Sequence, residues 1–261
     1  MSLTTITTTT TQLDPKEVHT SLSASSSSTL CTLHDSDSFY PSRILNINAR
    51  GIRAFRLPLP SSQTEISITN VDGSTSYTST RARRWSGNSV LSHPKRGNLI
   101  RTDYFFGPNR DPVLCLLQTS SVLAEQVKIT GKWTSRSARF SMSTDTTYEW
   151  SYAKEKSVEG KKSNLIILRA LSSSDSEEKG KDSGDGRRVA QLVRSADTRT
   201  PGTSKCAAGN GGELQIDDSA LQALQLDECV VVATCLVMLK REIDRRRVIQ
   251  TAVIGGAGGG S

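Results

Sequence analysis

The side chains best suited to chemistry form a basic cluster in the middle of the chain. Its members are Arg81, Arg83, Arg84, Lys95 and Arg96. Trp85 directly follows the arginines, and a turn at Gly87-Asn88 separates them from the last two cations. Guanidinium and ammonium groups beside an aromatic ring are suited to the phosphate groups of a lipid headgroup or a nucleic acid. The cluster predicts an anion-binding surface, and the solvated charges of an exposed hairpin are the alternative interpretation.

A second basic cluster, at residues 245–247, lies near the end of a predicted C-terminal helix. Cations are favoured in the last turn of a helix because the unpaired carbonyl groups there carry partial negative charge. We interpret these arginines first as charges that cap the helix and second as binding residues. The acidic pairs at 217–218 and 227–228 precede predicted helices, where negative charge is stabilised, so we do not assign them to catalysis.

The histidines and glycine-rich segments form no catalytic constellation in the sequence. His19, His34 and His93 have no second histidine or cysteine at a metal-ligand spacing. No Gly-x-Ser-x-Gly elbow presents a serine nucleophile, and the glycines at 209–212 lack the Gly-Lys-Ser/Thr ending of a phosphate-binding loop. We therefore predict a non-enzymatic protein with no catalytic residue, no metal site and no cofactor.

Cysteine usage predicts a reducing compartment. The five cysteines are Cys31, Cys115, Cys206, Cys229 and Cys235. Their number is odd, no two are spaced as a CxxC pair, and at least three lie in apolar runs, where a thiol behaves as a small hydrophobic group. We expect no disulfide framework and a cytoplasmic or nuclear location, with peripheral attachment to membranes as a further expectation.

The net charge of +7 is unevenly distributed. Residues 65–170 contain sixteen Lys and Arg against nine Asp and Glu, whereas residues 171–261 contain twelve against thirteen. The basic excess therefore belongs to the central part of the chain, where an anionic partner is physically reasonable. Anionic phospholipid headgroups and protein partners are the expected candidates, and we do not expect nucleic acid.

Residues 229–239 define the element around which the rest must be arranged. They carry no charge and, apart from Thr234, no strongly polar group. A helix that is apolar on every side must be buried by protein or lipid, and a run of about 10–14 apolar residues is more typical of a core helix than of a membrane span. We expect no transmembrane segment. The predicted buried positions are Val230, Val231, Val232, Leu236, Val237 and Leu239.

Short strand-like runs separated by turn residues fill the preceding chain. The predicted strands are 65–69, 75–78, 98–106, 112–118, 127–133, 138–142, 147–152, 164–169, 188–194 and 213–217. In the strand at 147–152, three aromatic residues share one face, which is typical of core packing. One sheet face cannot shield a helix that is apolar all round, but a strand barrel closed around it can. The predicted fold is mainly β: a closed antiparallel barrel of about twelve strands around a buried C-terminal helix.

The composition also predicts the boundaries of the domain. The Ser/Thr-rich residues 1–38 have too little apolar surface to fold and are expected to be disordered. A single barrel domain should span 39–254, with disordered loop insertions at 171–186 and 198–212. The helix should run from about 226 to 250, with Lys240–Asp244 and Glu242–Arg246 pairs along it. The glycine-rich residues 255–261 are typical of a flexible tail.

This order of elements resembles the Tubby C-terminal-like superfamily, which groups the tubby, phospholipid-scramblase and LURP-one-related proteins. The resemblance rests on the Leu226-Asp227 approach to the apolar helix, the aromatic strand at 147–152 and the region from Gly131 to Phe140. It covers roughly residues 55–250 and implies a twelve-stranded barrel around a hydrophobic helix. The Ser-rich insertions and the glycine tail are similar to a loop-rich fungal branch of these proteins.

The chain departs from two patterns of that superfamily. It lacks the Cys-rich palmitoylation segment and the Pro-rich arm of scramblases, and the phosphoinositide-binding cation pair of tubby cannot be placed on defined positions. Lipid binding is therefore an implication of the resemblance that is assigned to no residue.

Three hypotheses of function follow from the sequence. The first is a soluble barrel that binds anionic phospholipid headgroups at a membrane surface. The second is a protein-interaction or regulatory module controlled by phosphorylation of its Ser-rich loops, such as residues 172–176 beside two glutamates. The third makes residues 229–239 a segment that inserts into membranes.

Overall fold

A single antiparallel sheet and one long helix dominate the computed structural model. The structure describes residues 39–53, 63–84, 86–105, 107, 110–117, 125–132, 135–142, 146–156, 162–171 and 186–257. The strands are β1 Arg43–Ile47, β2 Arg50–Ile52, β3 Glu65–Asn70, β4 Thr75–Thr80, β5 Ser89–His93, β6 Gly97–Asp103, β7 Val113–Leu116, β8 Gln126–Lys128, β9 Ala138–Ser141, β10 Thr147–Lys156, β11 Lys162–Leu171, β12 Arg187–Arg194, β13 Ala208–Asn210 and β14 Glu213–Ile216. The helices are α1 Asp218–Leu224 and α2 Glu228–Ala257.

Twelve strands form a sheet that nearly closes on itself. Their order is β8-β7-β6-β5-β4-β3-β1-β14-β12-β11-β10-β9, and every pair is antiparallel. The two edges meet just beyond β8, where Thr130 and Arg139 exchange backbone hydrogen bonds of 2.7 and 2.8 Å. The sheet is thus a nearly closed barrel of twelve strands, which agrees with the predicted barrel of about twelve strands.

The first half of α2 occupies the centre of the core. Val230, Val231 and Val232 are fully buried, Val237 and Leu239 are at most 3% exposed, and Leu236 is partly buried against the core. Since residues on every side of the helix are covered, the apolar run is enclosed by the protein. This confirms the predicted central helix.

One hydrogen bond ties the core of α2 to the barrel wall. The Trp150 indole nitrogen on β10 donates to the Thr234 hydroxyl at 3.0 Å, and both side chains are buried. The Thr234 hydroxyl donates in turn to the Val230 carbonyl at 2.8 Å, one helical turn earlier. The only polar residue of the apolar run thus satisfies the only polar atom of the largest core side chain.

A short helix and a tight turn direct the chain into the barrel. Asp217 caps α1, because its side chain accepts a hydrogen bond from the Ala220 amide at 3.0 Å. The Ser219 hydroxyl donates to the same Asp217 carboxylate. Gln225 then adopts the left-handed conformation that ends α1. Two further residues carry the chain into α2.

The prediction of a disordered insertion at 198–212 is wrong. It contains β13, which pairs with β2 in a small second sheet packed against α2. Gly209 allows this close approach: its φ is +72°, and an added Cβ would lie 2.7 Å from the Leu239 carbonyl oxygen. The glycines at 209–212 therefore serve packing, which a sequence pattern of loop residues does not reveal. The other predicted insertion, 171–186, and the tail at 1–38 lie almost wholly outside the described residues.

Two other predictions about boundaries change. α2 ends at Ala257, seven residues beyond the expected end, and so includes the start of the predicted glycine tail. Near the start of the predicted domain, β1 lies between β3 and β14 in the middle of the sheet. Among the described residues no single helix is long and apolar enough to cross a membrane; α1 and α2 taken together pass by length and composition but are bent by 106°.

The strand directions define two ends of the barrel. At the α1 end lie α1, the start of α2 and the turns that join β3 to β4 and β5 to β6. At the opposite end, which we call the exit end, α2 leaves the barrel between the connections β1–β3, β4–β5, β6–β7, β8–β9 and β12–β14. These two ends are the surfaces on which a function can be located.

We expect Thr234→Val to destabilise the fold by about 1–3 kcal/mol, because the isosteric valine leaves the Trp150 N–H buried without an acceptor. Thr234→Ser keeps the acceptor and should cost about 1 kcal/mol for the lost methyl group. Urea unfolding of the two variants measures the difference. A valine variant as stable as the native protein would show that this hydrogen bond does not hold the helix in the barrel.

Candidate functional site

The structure divides the predicted basic cluster between the two ends of the barrel. Arg81, Arg83 and Arg84 lie at the exit end, whereas Lys95 and Arg96 lie in the turn at the α1 end. The separating element is β5, whose five residues rise by roughly 16 Å. The sequence does not predict β5, and the prediction that all five cations lie together is therefore wrong.

The neighbours of these cations confirm the division. Arg96 is close enough to the start of α2 to oppose the rise in the pKa of Cys229, which burial and Asp227 bring to about 11. Arg81 instead faces the later part of α2. Its pKa is lowered by burial and by Arg247, against the opposing effect of Asp244.

The exit end as a whole carries a strong positive charge. The described residues of its five connections and of α2 from Lys240 onward include fifteen Lys and Arg and four Asp and Glu. The described connections of the α1 end, with residues 217–228, include two Lys and Arg and six Asp and Glu. The protein is therefore electrostatically polarised along the barrel, and the exit end has the positive electrostatic potential that attracts anions.

Three cations and one carboxylate form the inner part of this charged end. Asp244 accepts two hydrogen bonds from the Lys240 ammonium group, at 2.6 and 2.7 Å, and one from Arg247 at 3.3 Å. Arg81 lies close to the same carboxylate. Burial lowers the pKa of Lys240, as do the charges of Arg247 and Arg81, while Asp244 opposes them. Among the described residues, one carboxylate is thus shared by three cations.

A second ion pair connects α2 to the barrel wall on the other side of the helix. Arg194 on β12 donates to Glu242 through both terminal nitrogens, at 2.8 and 3.0 Å, and the Gly209 amide donates to the same carboxylate at 2.8 Å. Burial by itself would raise the pKa of Glu242, but Arg194 and the Gly209 amide hold it below its usual value. The sequence predicted a Glu242–Arg246 pair; the structure instead pairs Glu242 across the core because its side chain faces β12.

The arginines at 245–247 are also not at a helix end, contrary to our first interpretation. Arg245 donates to the Ser135 carbonyl oxygen at 2.6 Å and to the Tyr152 hydroxyl at 3.3 Å. Arg241 donates to the carbonyl oxygens of Gly131 and Lys132, both at 3.1 Å. These contacts fix the helix to the β8–β9 connection, and the helix continues for ten residues beyond Arg247.

Those last residues expose an apolar surface. Ile249, Val253 and Ile254 are 60%, 67% and 53% exposed. Arg246, Ile249 and Val253 follow one another at helical spacing and so share one face of α2. A ridge of aliphatic side chains thus projects from the end that carries the positive charge.

The remaining chemical candidates are used by the fold or lie outside the described residues. The His93 Nδ1 atom accepts hydrogen bonds from the Lys95 and Arg96 amides and so stabilises a turn. Cys229 and Cys235 are buried in α2, where burial raises the pKa of Cys235 to about 12. No three His, Cys, Asp or Glu residues of the described chain are placed to hold a metal ion. Trp85 and residues 172–176 are among the positions that the structure does not describe.

Sequence reasoning missed Lys240, Asp244 and the apolar ridge as parts of a site. The sequence does contain a pattern that indicates them, because charged residues directly follow the apolar run and aliphatic residues recur after the charged ones. That pattern is also typical of the solvated end of a core helix, and the predicted length of α2 was too short to reveal the ridge.

We expect Glu242→Gln to destabilise the fold by about 3–5 kcal/mol, since it leaves Arg194 buried without its anionic partner. Because the folded-state pKa of Glu242 lies below the value of 4.5 for an exposed glutamate, its ionisation stabilises the fold above that pH, and this contribution is lost as the pH falls. Below about pH 5, the free energy of unfolding of the variant should therefore fall less steeply with decreasing pH than that of the native protein. Urea titrations across that range measure it.

Glu155→Gln is the matched control, because Glu155 pairs with Arg188 at 2.8 Å but is 49% exposed. Its cost should stay within about 1 kcal/mol. Equal costs for the two exchanges would contradict the structural role of the Arg194–Glu242 pair.

Comparison with known proteins does not assign the chain to a family. No family model, no curated protein and no solved structure matches the chain. The resemblance to the Tubby C-terminal-like superfamily therefore stays a prediction, and any proposal of function rests on the geometry and charge of the exit end.

Proposed function

We propose that the protein is a non-enzymatic barrel of the Tubby-like kind that binds membrane surfaces rich in anionic phospholipid, with its exit end facing the membrane. The observation that carries this proposal is the aliphatic ridge of Ile249 and Val253, which share one exposed face of α2 at the most basic end of the barrel. A ridge or a basic surface by itself is compatible with an ordinary solvated exterior. Together they are the two features that hold peripheral proteins at an anionic bilayer.

The two features act on different parts of the bilayer. Exposed Arg83 and Arg84 and half-buried Arg246 lie at the exit end, where headgroup phosphates can reach them. Each such cation near an anionic surface contributes about 1 kcal/mol. The aliphatic side chains of α2 can enter the boundary between headgroups and acyl chains, where burial of a large aliphatic side chain contributes about 1.5–3 kcal/mol.

The charge difference between the two ends also supports one orientation. The α1 end carries more acidic than basic residues among its described connections, so an anionic surface repels it. A membrane therefore attracts one end of the barrel and turns the other toward the solvent. This orientation presents the ridge of α2 to the lipid.

The aliphatic ridge provides the first test. We expect Ile249→Glu with Val253→Glu to reduce flotation with phosphatidylserine-containing vesicles at least about tenfold, because two buried aliphatic groups become repelled charges. The matched control is Val71→Glu, since Val71 is 72% exposed in the β3–β4 turn at the α1 end. Equal loss in both variants would show that added negative charge, wherever it stands, accounts for the result.

The basic surface provides a second test. Arg83→Gln with Arg84→Gln should weaken vesicle binding by about fivefold for each charge removed, and high salt should abolish the difference. Lys95→Gln with Arg96→Gln removes the same charge from the α1 end and should leave binding nearly unchanged. Failure of the native protein to float with anionic vesicles at low salt would refute the proposed function.

A further inference from the structure

The loop that joins β4 to β5 carries a serine behind two arginines. Arg83 lies three residues and Arg84 two residues before Ser86, and no other serine or threonine of the chain has a basic residue at both of these positions. Many serine/threonine kinases select their substrates by such charges, because carboxylates of the kinase bind guanidinium groups at fixed distances from the reacting hydroxyl. The spacing therefore indicates Ser86 as a residue that a kinase of this kind can modify.

These three residues lie at the surface of the exit end. Arg83 and Arg84 are exposed, and Ser86 is half-buried. Neither arginine takes part in an ion pair within the described part of the chain. Both guanidinium groups are therefore available to the carboxylates of a partner protein.

The hydroxyl group of Ser86 is placed to react. Its oxygen accepts one hydrogen bond, from the Asn88 amide at 3.1 Å, and the hydroxyl donates to none of the described residues. Ser86 borders an open groove of about 570 Å³, which Arg83 and Arg101 also line. A phosphate group is much smaller than this groove, so it can be added to Ser86 without displacing the barrel wall.

The loop is also able to adopt the extended form that the groove of a kinase requires. It consists of residues 81–88, between β4 and β5. At its first residue the Arg81 amide donates to the Thr64 carbonyl oxygen at 2.8 Å. Beyond that anchor, its described residues form one backbone hydrogen bond, from the Ser86 amide to the Arg83 carbonyl oxygen at 3.1 Å. A segment with so few backbone hydrogen bonds opens locally at small cost.

We propose that Ser86 is a phosphorylation site for a serine/threonine kinase with an acidic substrate groove, and that its phosphate weakens attachment of the exit end to anionic membranes. The second part rests on the proposed function, whereas the first part does not. A phosphoserine carries about −1.5 to −2 charges at pH 7, which offsets the charge of Arg83 and Arg84. The modification therefore acts as an electrostatic switch on the surface that meets the lipid.

The chemical step is phosphoryl transfer from ATP. The Ser86 hydroxyl oxygen forms a bond to the γ-phosphorus of ATP held by the kinase, while the bond from that phosphorus to the bridging oxygen breaks. The hydroxyl proton passes to a carboxylate of the kinase, and ADP leaves with the electron pair of the broken bond. Hydrolysis by a phosphatase restores the hydroxyl group and releases inorganic phosphate.

Phosphorylation of the folded, full-length chain tests the site. The probe is the catalytic subunit of cAMP-dependent protein kinase with magnesium ATP, and mass spectrometry counts and locates the phosphates. We expect Ser86 to be the main position modified. Ser86→Ala should remove this phosphate, whereas Ser74→Ala, at an exposed serine of the β3–β4 turn that follows no cation, should retain it. An unmodified Ser86 in the native protein would overturn the proposal.

The rate of phosphorylation tests the role of the arginines. Arg83→Gln with Arg84→Gln should slow modification of Ser86 at least about tenfold, because the charge-assisted hydrogen bonds to the kinase are lost. Lys95→Gln with Arg96→Gln removes the same charge from the α1 end and should leave the rate unchanged. Equal rates in the two double variants would contradict recognition of Ser86 through its own arginines.

Flotation measures the effect on membrane attachment. Phosphorylated protein should bind phosphatidylserine-containing vesicles at low salt at least about tenfold more weakly than untreated protein, because the phosphate offsets two cations. Phosphatase treatment should restore binding, and Ser86→Ala incubated with kinase and ATP should float as the untreated protein does. Undiminished flotation of the phosphorylated protein would rule out the switch.

The modification site and the membrane proposal fail separately. A phosphate on Ser86 of a protein that does not float with anionic vesicles would support the site and remove the membrane proposal. Native flotation with no phosphate on Ser86 would do the reverse.

Discussion

A helix that is apolar on all sides has no face to present to water, and α2 meets this constraint by passing through the centre of a barrel. Burial of Val230, Val231 and Val232 on every side requires strands all around them. The sheet therefore curves around the helix and nearly closes, with Thr130 paired to Arg139 where its two edges meet. Even the polar exceptions follow from this arrangement, since Thr234 is tolerated in the core because Trp150 lies opposite it.

The same constraint explains where the charge is concentrated. A helix that traverses a barrel has to leave it, and at that point its side chains pass from an apolar to an aqueous environment. α2 makes this transition with alternating cations and anions that bond to the wall, such as Glu242 to Arg194 and Arg241 to backbone carbonyl oxygens. These interactions fix the helix along its axis. Their surplus of cations among the described residues gives the exit end its charge.

The charged residues of the exit end differ in what they contribute to the structure. Arg194 and Glu242 satisfy each other and the Gly209 amide, so they contribute mainly to stability. Arg83, Arg84 and the ridge of α2 contribute little to the core and are exposed at the exit end. Some of the basic residues at the exit end therefore hold the helix in place, and others lie exposed on the surface.

The fold was largely predictable, and the site only in part. An apolar run of eleven residues and the recurrent strand patterns predicted the barrel, because burial depends on local hydrophobic periodicity. The short strands β1, β2, β5 and β13 were missed, since their patterns are weak and tertiary pairing stabilises them. The missing β5 had the largest consequence for function, because it carries the chain from one end of the barrel to the other.

By itself, the sequence determined the mainly β class, the buried helix and the excess of basic residues, all of which depend on residue type and short-range order. Only the tertiary structure decided which charges meet. It separated Arg81 from Lys95, brought Arg81 to Asp244 across 163 positions of sequence, and paired Glu242 with Arg194 in place of Arg246. Charges act through space over distances that strand register and barrel closure set, and neither can be deduced from the spacing of residues along the chain.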